Sequence, residues 1–362
     1  MKILIDASAA NRPQKTGVEW YAFQMIMALK NVIPSEVEVV LYTRQPLSKE
    51  FKNLPHNWKH KRLHWPTVYF WSEIRFSWEM IFSSSDDVLF VPASTPPFFH
   101  PKLVTTIHDV GLIARPELYP PRAFVMQKWS MRRAVGADLV CTPSEFSKQE
   151  IIKYFDIAEN RIAVVPNAPV ISDHKRSVEA HTKDDDEKRN ALVYIGRVER
   201  KKNIITMVRS FEILKRSGKH DDLKLVIAGG SGYGYDEIKD RIENSHFSTD
   251  IHLLGYISES KKQELLAQAR VLLLPSWYEG FGMPILEAQS YQTPVIASDI
   301  PPHREIAGRS IAYASPENAR EWARFIENYP SSLQNNKNER DFTWDSSAKL
   351  WWASVRRLQS VN

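Results

Sequence analysis

This 362-residue chain has little cysteine, no long apolar run and little excess of one charge. The lone Cys141 excludes an internal disulfide framework and fits a reducing compartment; set in the apolar run Ala137-Asp138-Leu139-Val140-Cys141, it reads as a buried, inert thiol. No stretch of about eighteen uninterrupted apolar residues occurs, so no membrane-spanning helix is expected. The opening Met1-Lys2-Ile3-Leu4-Ile5-Asp6 is a short strand without the apolar length of a signal peptide. Forty-eight basic against 43 acidic residues leave a net charge of +5. That surplus suits a phosphate-rich ligand, an anionic acceptor or a membrane face, and no nucleic-acid-binding motif accompanies it. The first strand is followed by Asp6-Ala7-Ser8-Ala9-Ala10 rather than Gly-x-Gly-x-x-Gly, which argues against a nicotinamide-dependent oxidoreductase. No short repeat suggests a solenoid.

What is present is the composition of a soluble globular enzyme, 43% apolar and 25% charged, long enough for two domains. In the first half, strands are expected at Lys2–Ala7, Val37–Tyr42, Val88–Val91, Leu103–Ile107, Leu139–Thr142 and Ile162–Val165, with a helix at Gly17–Leu29 and another opening behind Ser144 as N-cap. Residues 171–190 are charged and poor in apolar side chains, and read as a linker. Their Asp184–Asp186 run looks like a solvated charge run more than a metal motif. Strands follow at Ala191–Ile195, Leu223–Ala228, Ile251–Leu254, Val271–Leu274, Val295–Ala297 and Ile311–Tyr313, with helices at 203–216, 235–243, 259–268, 284–291 and 316–327. This alternation is that of an α/β protein with doubly wound parallel sheets: a domain at 1–170, a linker, a domain at 191–340 and a tryptophan-rich terminal helix at 341–362.

The most informative stretch is Glu279-Gly280-Phe281-Gly282-Met283-Pro284-Ile285-Leu286-Glu287. It follows the apolar strand Val271–Leu274 and enters a helix, with Pro284 where its missing N–H costs nothing. The amides of Phe281, Gly282 and Met283 at the helix start can seat an anion, and the two flanking carboxylates can bind hydroxyls. A ligand rich in both is a nucleotide sugar.

The pattern resembles the E-x7-E signature of retaining glycosyltransferases of the GT-B fold, family 4 (glycosyltransferase group 1). Tyr194-Ile195-Gly196-Arg197-Val198-Glu199-Arg200-Lys201-Lys202 is similar to that family's Gly-Arg-x4-Lys motif. The resemblance covers nearly the whole chain and is strongest from about 191 to 305. It implies two Rossmann-like domains facing across a cleft, the last helix crossing back onto the first. It further implies that Arg197 and Lys202 hold the donor diphosphate, that Glu287 binds the ribose, and that Glu279 binds the transferred hexose beside the reacting carbon. The backbone of Gly280, Phe281, Gly282 and Met283 would contact sugar and phosphate. Gly229 would line the nucleotide cleft, with the base against Tyr256 and Ile257. Two cations on a leaving diphosphate make independent chemical sense, because negative charge grows there as the glycosidic bond breaks.

From the first domain, Lys15-Thr16-Gly17-Val18 resembles the family's Thr-Gly-[Ile/Val] loop, with Gly17 approaching phosphate or acceptor, although Glu19-Trp20 departs from the usual Gly-Arg. His108, closing the strand end Thr106-Ile107-His108-Asp109, would reach hexose or acceptor, with Asp109 fixing the loop or the imidazole. The basic and aromatic segment Lys59–Trp78 reads either as a peripheral membrane face or as a strand and helix packing the core, and its spacing favours the second. The expected function is metal-independent hexose transfer, with no cofactor, from a nucleoside diphosphate sugar to a glycan or lipid-linked glycan of a bacterial surface polysaccharide. The motif style resembles bacterial mannosyltransferases, which implies GDP-mannose. A sugar-nucleotide epimerase, a phosphorylase or a non-catalytic nucleotide-sugar-binding subunit are the alternatives. The expected location is cytoplasmic, at the inner membrane face.

Overall fold

Apolar residues on both sides of each strand run demand a layer of helices on each sheet face, and both units of the protein are built that way. The computed structural model describes residues 1–67, 69–170, 190–329 and 341–360. The expected linker, with its Asp184–Asp186 run, lies outside the described residues except for Asn190. One compact unit comprises Met1–Ala114, Arg122–Ala168 and Phe342–Asn362; the other comprises Arg115–Pro121 and Pro169–Asp341.

The first unit's sheet contains β1 (Lys2–Asp6), β2 (Glu38–Thr43), β3 (Trp58–Arg62), β4 (Val88–Val91), β5 (Lys102–Thr106), β6 (Leu139–Thr142) and β7 (Ile162–Val164). The strands lie in the order β3-β2-β1-β4-β5-β6-β7, all pairs parallel. Alternation along β1 sends Ile3 and Ile5 into one apolar layer and Leu4 into the other. Helices α1 (Gly17–Leu29), α2 (Ser77–Met80), α3 (Gly111–Ala114), α4 (Pro121–Val135) and α5 (Glu145–Phe155) connect the strands, with a π-helical turn at Trp71–Phe76 leading into α2. Ser144 caps α5 by accepting the Ser147 N–H at 3.0 Å. Cys141 is fully buried, and burial pushes its thiol pKa up to about 12.

The second unit's sheet contains β8 (Ala191–Ile195), β9 (Lys224–Ala228), β10 (Ile251–Gly255), β11 (Val271–Leu274), β12 (Val295–Ser298) and β13 (Ala312–Ala314), ordered β10-β9-β8-β11-β12-β13 and again parallel. Its helices are α6 (Ile204–Arg216), α7 (Tyr235–Glu243), α8 (Glu259–Gln268), α9 (Met283–Ser290), α10 (Pro301–Ala307) and α11 (Ala319–Glu327). Leu192 and Tyr194 of β8 face one core, Val193 and Ile195 the other. The last helix, α12 (Trp344–Ser360), belongs to the first unit. Its Trp351 is fully buried with its ring 4.8 Å from Phe90 of β4, and Ser347 donates to the Pro166 carbonyl at 2.6 Å.

In each sheet the order reverses once, between β1 and β4 and between β8 and β11. Loops leaving the carboxyl ends of those neighbouring strands diverge, so a ligand can reach the sheet edge between them.

The segment 59–78 divides between the two readings of its aromatics. Trp71 and Phe76 are buried and stacked with centroids 4.9 Å apart, whereas Tyr69, Phe70 and Trp78 are exposed.

Candidate functional site

At the β8–β11 switch point the two motif loops meet. The loop after β8 ends in a 3-10 turn at Arg200–Lys202, and the loop after β11 carries Glu279. Lys202 Nζ lies 2.5 Å from Glu279 Oε1, and Ser276 Oγ donates to the same oxygen at 2.8 Å. The residues come from positions 77 apart in the chain, so only the fold pairs them.

Asn203 holds the loops in this relation. It takes the left-handed conformation at φ 54°, which asparagine tolerates better than most residues, and ends the 3-10 turn before α6. Its amide donates to the Pro275 carbonyl at 3.0 Å and the Pro316 carbonyl at 2.8 Å, while its carbonyl accepts from Thr206 at 2.9 Å. A main-chain bond from Trp277 N–H to Lys201 O, 2.9 Å, adds a second tie. Asn203 was quoted by none of the expected roles; the signal was an asparagine between a basic turn and an apolar helix.

Burial alone would raise the Glu279 carboxyl. The charges of Lys202 and Lys201, the neighbouring His303 and the Lys202 hydrogen bond outweigh that effect and bring its pKa down to about 2. Behind the turn, Gly282 is the N-cap of α9 at φ 117°, and a side chain there would press on the fully buried ring of His303, 3.2 Å from Cδ2. Both facts require glycine. Phe281 is buried beside it and Met283 begins the helix.

Glu287, one turn into α9, is 4% exposed. Its Oε1 accepts from Lys262 of α8 at 2.6 Å, and Lys262 also meets Glu259 at 2.7 Å. Burial lowers the Lys262 pKa, but the two carboxylates prevail and raise it. Lys262 too escaped the sequence reading, because a lysine on an amphipathic helix carries no local mark of a partner 25 residues away.

Gly229, just after β9, stands at φ 148° with its N–H bonded to Gly255 O at 2.8 Å; a Cβ there would fall 1.8 Å from Gly196 O. The loops after β8, β9 and β10 are thereby locked edge to edge. Arg197 is exposed, its methylenes beside Gly232 and its carbonyl accepting from Tyr194 OH at 2.9 Å. Tyr256 is exposed and Ile257 packs on the second core.

In the first unit, Gly17 is the first residue of α1. Glu19 accepts the Thr16 N–H at 3.0 Å and pairs with Arg12 at 2.8 Å, so the departure at Glu19 serves the helix start. His108 lies near the β1–β4 switch, with Nε2 3.3 Å from Pro92 O and its ring edge-on to Tyr21 at 4.7 Å; burial depresses its pKa below 6.5. Asp109 accepts the Gly111 N–H at 2.8 Å and so fixes the loop.

The depressed pKa of Glu279 makes a testable statement about stability. A carboxyl that falls from 4.5 to about 2 on folding contributes stability above pH 4.5 and loses it as pH drops toward 2. The unfolding free energy of the parent should exceed that of Glu279→Gln by an amount that shrinks by roughly 3 kcal/mol across that window, read by denaturant titration. A difference independent of pH would contradict the pairing.

Both halves of the chain match models of known families. A model described as glycosyl transferases group 1 matches residues 176–342, and one described as glycosyltransferase family 4 matches residues 15–169. The O-antigen chain mannosyltransferase B of Escherichia coli is 31% identical over 240 residues, 61% of this chain and 60% of its own. The serotype-specific mannosyltransferase WbdA of Escherichia coli is 28% identical over 96% of this chain and 44% of its own. The chain thus spans 44% to 60% of the length of these relatives. Among solved structures, sucrose-phosphate synthase from Thermosynechococcus elongatus superposes with a TM-score of 0.73 at 17% identity over all of both chains. Anabaena HepE in complex with UDP and glucose gives 0.65 at 15% identity, over 99% of this chain and 95% of its own. At such identities the likeness speaks to the fold, which is that of the GT-B glycosyltransferases. The two matched models run through nearly the whole chain, and the protein belongs to glycosyltransferase family 4, the group 1 glycosyl transferases.

Proposed function

We propose that this chain is a retaining mannosyltransferase that carries mannose from GDP-mannose to a hydroxyl of a glycan or lipid-linked glycan in bacterial surface polysaccharide synthesis, without a metal. The observation that supports it best is the Lys202–Glu279 pair at the switch point, in a chain with relatives named O-antigen chain mannosyltransferase and serotype-specific mannosyltransferase. In this reading the pair opens when the donor arrives. Lys202, with Arg197, turns to the diphosphate and offsets the charge that grows on it as the glycosidic bond breaks; Glu279 takes a hydroxyl of the hexose. Glu287 exchanges Lys262 for ribose hydroxyls in the same manner. The amides of Phe281, Gly282 and Met283 receive sugar and phosphate oxygens, Gly229 and Gly280 let the donor approach the main chain, and Tyr256 and Ile257 flank the base. Gly17 lets the main chain approach phosphate or acceptor, and His108 reaches the hexose or acceptor.

Glu279→Ala should lower turnover at least about a hundredfold in a protein that is less stable than the parent but still folded at the assay temperature. Near-parent turnover would contradict the role given to this residue. In a thermal-shift series with GDP, UDP and ADP sugars, the GDP sugar should raise the melting temperature most. Release of nucleoside diphosphate only with an acceptor present separates transfer from epimerisation.

The reading extends to a working position on the inner face of the cytoplasmic membrane, held peripherally. No helix among the described residues is long and apolar enough to cross a membrane. Exposed apolar residues gather on α4 (Val125, Met126, Trp129), at Phe98 and Phe99, and on α2 (Trp78) with Phe82. They adjoin one another: the Phe98 N–H donates to Ser77 of α2 at 2.7 Å, and the Phe98 ring lies 6.1 Å from Trp129. Helix α4 carries Arg122, Lys128, Arg132 and Arg133 and no acidic residue. Basic charge with aromatic and aliphatic side chains fits an anionic lipid surface, at about 1 kcal/mol per basic residue near the headgroups. The protein should co-sediment with phosphatidylglycerol-containing vesicles, and a Val125→Glu, Trp129→Glu double variant should not. Equal sedimentation of both proteins, or of neither, would contradict this docking face.

A further inference from the structure

His303 lies in the first turn of α10, is fully buried, and has no part in the roles above. Its Nδ1 is 2.9 Å from the Ser298 carbonyl. A carbonyl only accepts, so Nδ1 carries the proton, and in the neutral ring Nε2 is left as a bare acceptor. Nε2 is buried without a hydrogen-bond partner, as is the neighbouring Ser298 hydroxyl. An unpaired buried acceptor is uncommon and calls for a physical explanation. The Cδ2–Nε2 edge of the ring faces the Gly282 corner, with Nε2 3.6 Å from where a Cβ would stand. The charged groups that act on it are Glu279, from the loop after β11, and Lys202, from the turn after β8. A lone pair repels a carboxylate, whereas a protonated Nε2–H attracts one.

We propose that His303 is a positioning residue: with a neutral ring it braces the Gly282 corner and keeps the Glu279 carboxylate turned to the donor, and on protonation of Nε2 it draws that carboxylate inward. The inference rests on the proposed function for the part of Glu279 in transfer. It goes beyond that function in making the donor site sensitive to a proton on a side chain that touches no substrate. Burial favours the neutral ring and lowers its pKa from 6.5, the field of Glu279 opposes this, and that of Lys202 reinforces it. The positioning state is therefore the one present at neutral pH, and it is lost on acidification.

Two measurements test it. In the parent, kcat/KM for the donor should hold level from pH 8 to 7 and fall by about tenfold per unit below the His303 pKa. His303→Asn keeps a donor for the Ser298 carbonyl and removes Nε2; His303→Phe keeps the ring volume alone. In either variant the acid fall should flatten, while the affinity for free GDP stays within twofold of the parent. An acid fall unchanged in both variants, or absent from the parent, overturns the proposal. Independently of any substrate, histidine 15N shifts followed by NMR should show the His303 pKa falling in Glu279→Gln, because the carboxylate that favoured the charged ring is gone. An unmoved pKa overturns the coupling even in a fully active enzyme. A parent that turns over no nucleotide sugar but shows the NMR shift would instead sink the proposed function and leave the coupling intact.

Discussion

The pairing of Lys202 with Glu279 is the contact on which the rest of the second unit's site depends. It places a cation and an anion, both largely removed from water, where two neighbouring strand ends diverge. Neither could stay charged there alone without heavy desolvation cost, and together they are held by Ser276, by Asn203 and by the main-chain tie from Trp277. The two charges thus satisfy each other within the protein. Under the proposed function, a donor bearing both diphosphate and hydroxyls would replace both halves of the pair at once, whereas a ligand with only one of these would leave a buried charge unmatched. Lys262 repeats the device at Glu287.

Much of this was legible in the sequence, for physical reasons that differ from element to element. Strands buried on both faces must be apolar throughout, so β1, β4, β6, β8 and β11 stood out as short apolar runs. Gly17–Leu29, 235–243 and 259–268 kept the helical period, and the observed helices have those limits. Edge strand β3 is Trp-Lys-His-Lys-Arg with only its tryptophan buried, so as a strand it was one of two open readings of its segment. Helix α4 went unread because Val125 and Met126 break its amphipathic pattern by facing outward, and α10 because its two prolines and seven residues resemble a loop.

The site divides along the same line. Glu279 and the Gly280–Met283 turn form a contiguous motif whose chemistry is written in residue order. Lys262 and His303 act through contacts with residues distant along the chain, and no spacing rule joins a lysine at 262 to a glutamate at 287 or a histidine at 303 to a glycine at 282. Gly229 was expected at the nucleotide, and the structure adds a second demand on it, the close approach of Gly196 O. Exposed Trp78 gains neighbours from elsewhere in the chain, since Ser77 beside it accepts the Phe98 N–H and the Phe98 ring lies 6.1 Å from Trp129 of α4, a grouping that the linear segment alone cannot display.

Under the proposed function Glu279 competes with the donor for Lys202, so the two residues should affect the binding of a bare nucleoside diphosphate in opposite directions. Isothermal titration of GDP against Glu279→Gln, Lys202→Ala and the double variant measures this directly. Binding to Glu279→Gln should be severalfold tighter, binding to Lys202→Ala about tenfold (~1.4 kcal/mol) weaker, and Glu279→Gln should bring no gain once Lys202 is absent. GDP affinity that falls in Glu279→Gln, or that rises equally with and without Lys202, would contradict it.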